Sequence, residues 1–467
     1  MIDRILINVG LRRRRIALLR DGVLVELLSD RPDAATGPGD IHMVRVGRAA
    51  PALDGVFVQL AGGVDGVISG RHGGRNLNEG QALIAQVDRA AQDGKGPRLT
   101  TRVRLPGRFV VLQPYDPEPA VAGRLRDAGT RAALLARARE LSDAGDGGVL
   151  LRRRAATAAP SDLAAEAVAL RRRWAQITDA AGRNRSPALL WRDDVVATVL
   201  RDHAGPALQR ITVDDAETAT AVRAWCAEFG ADDGTDVELL PPGRNAIDVD
   251  AVREQLAAAT QPRLALPGGG WLQIEHTAAL TAVDVNAGTA EAGRDGEQLW
   301  LQVNLGAAAM LGRQLRLRDI GGPVVVDFIR MNAPGHGERV LAALRQACAD
   351  DPADVRITGF SEFGLVELTR RRRGGGLAAA TSEPCVRCDG AGRVPAVAEL
   401  ADDMVDEIRR VAAMAQGRPL VAAAAPALLD DLGGPALAAT LQQRYGCRVE
   451  LRADAARVRD AYEVWPA

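Results

Sequence analysis

Two acidic residues stand where an apolar strand has no structural use for them. Asp284 lies in the run TAVDVN and Asp327 closes PVVVD, each at the end of a β-branched stretch. Two residues beyond Asp284, and so on the same face of an extended chain, comes the amide Asn286. Two carboxylates and a neutral oxygen donor suit Mg²⁺, which takes oxygen ligands, keeps several waters and uses one or two protein carboxylates beside a phosphate. Held in this way, the ion lowers the pKa of a bound water and neutralises charge on a phosphodiester. The competing reading is that the acids cap strands or pair with Arg316 and Arg318. Taken alone, two strand-end acids favour that plainer account.

The segments around the acids have to position them. Between the two runs, Leu301, Leu305, Ala308, Gly312 and Leu315 recur at helical spacing, and Gly321-Gly322 is expected to stop the helix. The order is strand, helix, strand, with an acid at each strand end, where α/β sheets place their ligands. His276, upstream of Asp284, is expected to be a strand residue rather than a general base. At 467 residues the chain is too long for one core and is expected to fold as several α/β domains. No apolar run is long enough to span a bilayer, and MIDRILINVGLRRRR lacks the pattern of a signal peptide. Five cysteines, two of them in one CxxC, fit a reducing cytoplasm better than a disulfide framework.

The run DVN, a helix, QLRLRDIGG and VVVDFI resembles the catalytic core of the ribonuclease E/G family of bacterial endoribonucleases. Further matches stand in the same order: ILINVG at the start, GKGPRLTT at 94–101, LPGGGWLQIEHTAALTAVDVN, FGLVELTRRRR, and CVRCDGAG at 385–392. The resemblance implies internal cutting of single-stranded RNA, leaving a 5′-phosphate and a 3′-hydroxyl, in RNA processing or decay. It places Mg²⁺ on Asp284 and Asp327, with Asn286 orienting the site. The net charge of −1 speaks slightly against an RNA binder. Arginines 12–15, 152–154 and 370–373 could still line an RNA path, whereas 171–173, on an expected helix, read as a solvated face. Two departures from the family pattern support an alternative, an RNA-binding assembly protein with weak or lost catalysis. Arg330 stands in place of a second acid and Glu362 in place of an arginine, and the two are expected to compensate as a reversed ion pair.

The resemblance also divides the chain. Residues 1–34, read as a hairpin, join 198–260 in a ribonuclease H-like domain. Residues 35–101 form an OB-fold RNA-binding insert, with Phe57 as a base-stacking aromatic, Lys95 as a basic contact, and Val67 where a second aromatic is expected. Residues 102–197 resemble a sensor for a 5′-monophosphate. There Gly107, Val111 and Arg152 match, and Arg153 replaces a threonine. Residues 261–380 resemble a deoxyribonuclease I-like catalytic domain, 381–395 a zinc-link and 396–467 a small oligomerisation domain. Cys385 and Cys388 supply two of the four ligands that structural Zn²⁺ needs, and two chains sharing one ion is the simplest completion. The family forms homodimers in this way, and its dimers can pair into tetramers. A redox CxxC is the rival, but Asp-Gly-Ala-Gly is a poor start for the helix that such a motif opens. The resemblance is to the shorter, G-type layout, so the long extension of the larger members is not expected.

Overall fold

The computed structural model describes all residues except 32–35, 90, 92–95, 123–126, 230–233, 268, 289–295, 374–375, 384, 389, 434, 447 and 459–460. The chain divides into two compact units, Met1–Ala380 and Thr381–Ala467. No helix among the described residues is long and apolar enough to cross a membrane.

The first unit begins with three antiparallel strands, Arg4–Val9, Arg14–Arg20 and Val23–Asp30, a meander where one hairpin was expected. Asp21 and Gly22, both at positive φ, make its second turn, a conformation for which Asp-Gly is well suited. The sheet continues in parallel through Arg210–Val213 to Asp236–Leu239. A closed barrel of five strands follows in sequence: Ile41–Ala50, Gly55–Gln59, Asp65–Ile68, Ala82–Arg89 and Arg98–Thr100. Pairing of the first with Ala82–Arg89 closes it around Val44, Val58, Ile68, Val87 and Leu99. A four-stranded sheet containing Val110–Gln113 and Gly148–Leu151 packs with the helices Ala128–Asp143 and Pro160–Arg183.

The sheet that carries the acids has six strands, in the order Arg263–Ala265, Trp271–His276, Thr281–Asn286, Gly322–Asp327, Leu365–Arg370 and Val355–Phe360. Alternation sorts its residues: Val283, Val285, Val324, Val326, Val366 and Leu368 enter the core, while Ala282, Asp284, Asp327 and Glu367 face outward. Two helices, Gly296–Leu317 and His336–Ala347, cover the core face. Leu301, Ala308, Gly312 and Leu315 are buried there, with Leu305 half-buried. Gly312 is where the two helices come closest, since a Cβ at that position would meet the Ala347 Cβ at 2.5 Å.

The expected glycine stop acts differently. Asp319, in the left-handed conformation, ends the helix. Gly321-Gly322 instead makes room for a neighbouring chain, since a Cβ on Gly321 would lie 2.5 Å from the Cγ of Arg372 and 2.8 Å from its Cα.

In the second unit, the helix Val397–Met414 buries Leu400, Met404, Ile408 and Val411. It packs with a three-stranded sheet, Val449–Ala453, Leu420–Ala424 and Tyr462–Pro466.

Candidate active site

Parallel pairing brings the two acids together. Thr281–Asn286 and Gly322–Asp327 run side by side with Asp284 opposite Asp327, so both carboxylates leave the same edge of the sheet. Parallel strands need a crossover connection, and the helix Gly296–Leu317 supplies it. Both aspartates are exposed, and among the described residues neither pairs with a basic side chain. Arg316 is engaged with Glu26, and Arg318 donates to Gln314 and the Gln261 carbonyl, so the pairing considered from sequence does not form. The Asn286 amide donates to Asp284. Two adjacent carboxylates with no salt-bridge partner among the described residues, flanked by a neutral amide oxygen, fit a hard divalent cation that retains waters. Among the described residues there is no cluster of three acidic, histidine or cysteine ligands, so the ligands they offer such an ion are these groups.

The acids open onto a pocket of about 710 Å³, lined by Asn286, Phe328, Arg330, Phe360 and Phe363. Phe363 is 87% exposed beside them, and Phe360 meets Phe328 edge-on with centroids 6.2 Å apart. Neither aromatic was singled out from sequence, although FSEFG could have signalled them. Arg330 reaches the pocket, but among the described residues it forms no salt bridge with Glu362; the expected reversed pair is absent. The cation therefore faces the space in front of the acids.

The loop behind Asp327 is held by residues that sequence reasoning also missed. Asn304, fully buried in the crossover helix, donates to the Ile329 carbonyl at 2.8 Å and accepts the Ile329 N–H at 3.0 Å. Glu297 accepts the backbone N–H groups of Asn332 (3.0 Å) and Ala333 (2.9 Å), which hold its carboxyl below the usual carboxylate range. Gly270, at φ 78, lets the chain pass close to Asn286, whose carbonyl oxygen would lie 2.3 Å from a Cβ at that position. His276 sits at the opposite end of its strand, bonded to Thr281 at 3.0 Å, and burial lowers its pKa.

The remaining expected residues are dispersed. Phe57 is half-buried on the outside of the barrel, under Arg48 at 5.1 Å and directly across from Val67. Lys95 lies outside the described residues. The Arg152 guanidinium donates to the Gly107 carbonyl at 2.9 Å and pairs with Asp202, while Arg153 is exposed and Val111 lies half-buried in its strand. Most of the arginine clusters are engaged internally: Arg14 with Asp30 and Asp194, Arg154 with the carbonyls of residues 201, 202 and 204, and Arg173 with Glu228. In the second unit, hydrogen bonds from the Arg387 and Cys388 backbone lower the pKa of the exposed Cys385 thiol, favouring the thiolate that a metal takes. With two thiols in one chain the site is half of a tetrahedral set. Cys226 and Cys348 are buried elsewhere, and Cys447 lies outside the described residues.

Residues 104–373 match the description of the Ribonuclease E/G family. Ribonuclease G of Salmonella typhimurium is 30% identical over 455 residues, covering 93% of this chain and 93% of that protein. Ribonuclease G of Haemophilus influenzae is 28% identical over 449 residues, covering 92% of this chain and 91% of its own. Ribonuclease E of a Nostoc species is 35% identical over 317 residues, covering 67% of this chain and 46% of that larger protein.

Proposed function

The chain belongs to the ribonuclease E/G family and is an endoribonuclease that acts in RNA processing, and from that premise we propose that it cuts single-stranded RNA at Asp284 and Asp327 in a Mg²⁺-dependent hydrolysis leaving 5′-phosphate and 3′-hydroxyl ends. The observation carrying this reading is the in-register pair of exposed carboxylates on neighbouring parallel strands, free of basic partners among the described residues. Asp284 and Asp327 would hold the ion, with Asn286 fixing the orientation of Asp284 through its amide. Bound there, Mg²⁺ supplies Lewis-acid stabilisation of the phosphoryl charge and a more acidic water.

The chain's own groups do the rest. Asn304 and Glu297 keep the loop after Asp327 in one position, so the reacting phosphate meets a preorganised edge. Arg330 faces the pocket and offers a guanidinium fork to a non-bridging phosphate oxygen. Phe363 gives a flanking base a face to stack on, a contact that tolerates sequence and requires an unpaired strand. The barrel, read as an OB-fold, adds Phe57 and Lys95 as further contacts with the strand. The finer domain reading follows the same premise: a ribonuclease H-like first sheet, a sensor-like region around Gly107, Val111, Arg152 and Arg153, a deoxyribonuclease I-like catalytic part, and a shared Zn²⁺ on Cys385 and Cys388 of two chains.

Incubating an end-labelled, unstructured RNA with the enzyme tests the reaction. Cleavage abolished by chelation and restored by Mg²⁺, with products that a 5′-monophosphate-dependent exonuclease degrades, is the expected result. Products ending in 5′-hydroxyl, or unaltered cleavage in chelator, would contradict the proposed chemistry.

A further inference from the structure

The end of the six-stranded sheet opposite the acids opens into a cleft of about 1330 Å³, larger than the catalytic pocket and lined by charge of the other sign. Arg89, Arg318, Arg371 and Arg372 line it together with the acids Asp88 and Asp319. Both acids are already engaged, Asp88 with Arg98 at 2.6 Å and Asp319 with Arg370 at 2.8 Å. Among the described residues the four arginines have no carboxylate partner.

Arg318 is the most telling of them. It is 8% exposed, and its guanidinium is held by the neutral oxygens of Gln314 and Gln261 at 2.8 and 2.7 Å. Burial pushes its pKa down to about 10, so it remains a cation at neutral pH. A buried cation without a counter-charge is costly, and an anion entering the cleft would supply the missing charge. Arg372 adds a second sign of construction. The glycine pair Gly321-Gly322, which the helix stop does not require, makes room for the Arg372 stem to lie across it and present its head at the cleft.

We propose that this cleft is a second RNA site, in which Arg318, Arg371 and Arg372 bind backbone phosphates of the strand away from the scissile bond. The assignment rests on the endoribonuclease reading for the identity of the polyanion. Its effect is to hold the substrate at a distance of one strand length from the carboxylates, roughly 17 Å for residues 281–286, so that affinity and cutting are carried by different ends of one sheet.

The test uses the full chain in an Asp327→Asn background, binding a fluorescent single-stranded RNA in chelator. Arg371→Glu/Arg372→Glu is expected to weaken binding about tenfold and to flatten the salt dependence by about 1.4 in log–log slope, for two lost contacts to a single strand. Arg371→Lys/Arg372→Lys, which keeps the charge, should retain most of the affinity and shows that the loss is not misfolding. An unchanged affinity and salt slope in the Glu variant would overturn the proposal, while cleavage by the unmodified enzyme would leave the nuclease reading intact. If labelled ADP binds and is lost in the Glu variant while RNA binding is unaffected, the cleft is a free-nucleotide site and the RNA assignment falls.

Discussion

The two ends of the six-stranded sheet treat charge differently. At one end Asp284 and Asp327 lie exposed and side by side, with no basic side chain in salt-bridge contact among the described residues. At the other, Arg370 is almost wholly buried. It forms a two-pronged pair with Asp351 at 2.8 and 3.1 Å and reaches Asp319 at 2.8 Å. The first arrangement leaves repulsion in place, which suits a site that binds a cation. Around Arg370 the charges are neutralised, which suits a joint, while Arg318, Arg371 and Arg372 at the same end line the cleft without a carboxylate partner among the described residues. The motif QLRLRDIGG belongs to the joint: Arg316 pairs with the buried Glu26 of the first sheet, and Asp319 both turns the chain and receives Arg370. Arg316 and Asp319 of this long motif thus serve the architecture, whereas the proposed chemistry is assigned to two short strand ends.

Breaking the joint should produce the largest effect. Asp351→Ala removes the two-pronged partner of the buried Arg370 guanidinium and leaves it Asp319 as carboxylate partner, and loss of one partner of a buried pair costs up to about 3–5 kcal/mol. A large fall in the chemical denaturation midpoint checks this. A midpoint within error of the parent would mean that the joint is not structural.

Asn304→Ala should come next. It removes both partners of the Ile329 backbone, at about 1–3 kcal/mol for the groups left unsatisfied. Turnover should fall more than RNA affinity does, because the loop after Asp327 loses its position. Equal losses in both would show that Asn304 supports the fold alone.

A graded, pH-dependent effect should come from elsewhere in the first unit. Burial lowers the pKa of both His42 and His203 to about 4, from 6.5 in the free side chain. The unfolded chain then takes up protons near pH 6.5 that the folded chain refuses until about 4, so stability should decline as pH falls through that window and stay flat above it. Among the described residues neither ring nitrogen of His42 has a hydrogen-bond partner, consistent with a ring kept neutral. Denaturation series at pH 8 and pH 5 should show the decline, and a His42→Leu/His203→Leu variant should flatten it. An unchanged slope in that variant would assign the effect to other groups.

The contrast between the ends explains what could be read from the sequence. An acid inside a β-branched run is conspicuous because it breaks a pattern, so Asp284 and Asp327 were legible, and the helical spacing between their strands implied the crossover that makes them neighbours. Asn304 was not legible. A polar residue in an amphipathic helix reads as surface, and only the fold reveals that it is fully buried against Ile329. The run of arginines 370–373 reads as one patch, yet Arg370 is internal, Arg373 pairs with Glu26, and Arg371 and Arg372 face the cleft. Charge type is written in the sequence, but its partner is set by distant segments. The glycine pair misled for the same reason, because close approach to Arg372 is a tertiary demand that resembles a local stop. Arg330 and Glu362 suggested mutual compensation from their charges, whereas the structure leaves them apart.

The most direct test of the central claim is Asp327→Asn, measured for stability in the absence of divalent cations and for RNA cleavage with Mg²⁺. The exchange keeps the side chain's shape and removes one of two like charges on adjacent strands. Stability should therefore be unchanged or slightly increased, within about 0.5 kcal/mol, while cleavage should fall by roughly 10²–10³-fold or more. Cleavage near the parent rate in a folded Asp327→Asn variant would remove the carboxylate pair from the chemistry and contradict the account.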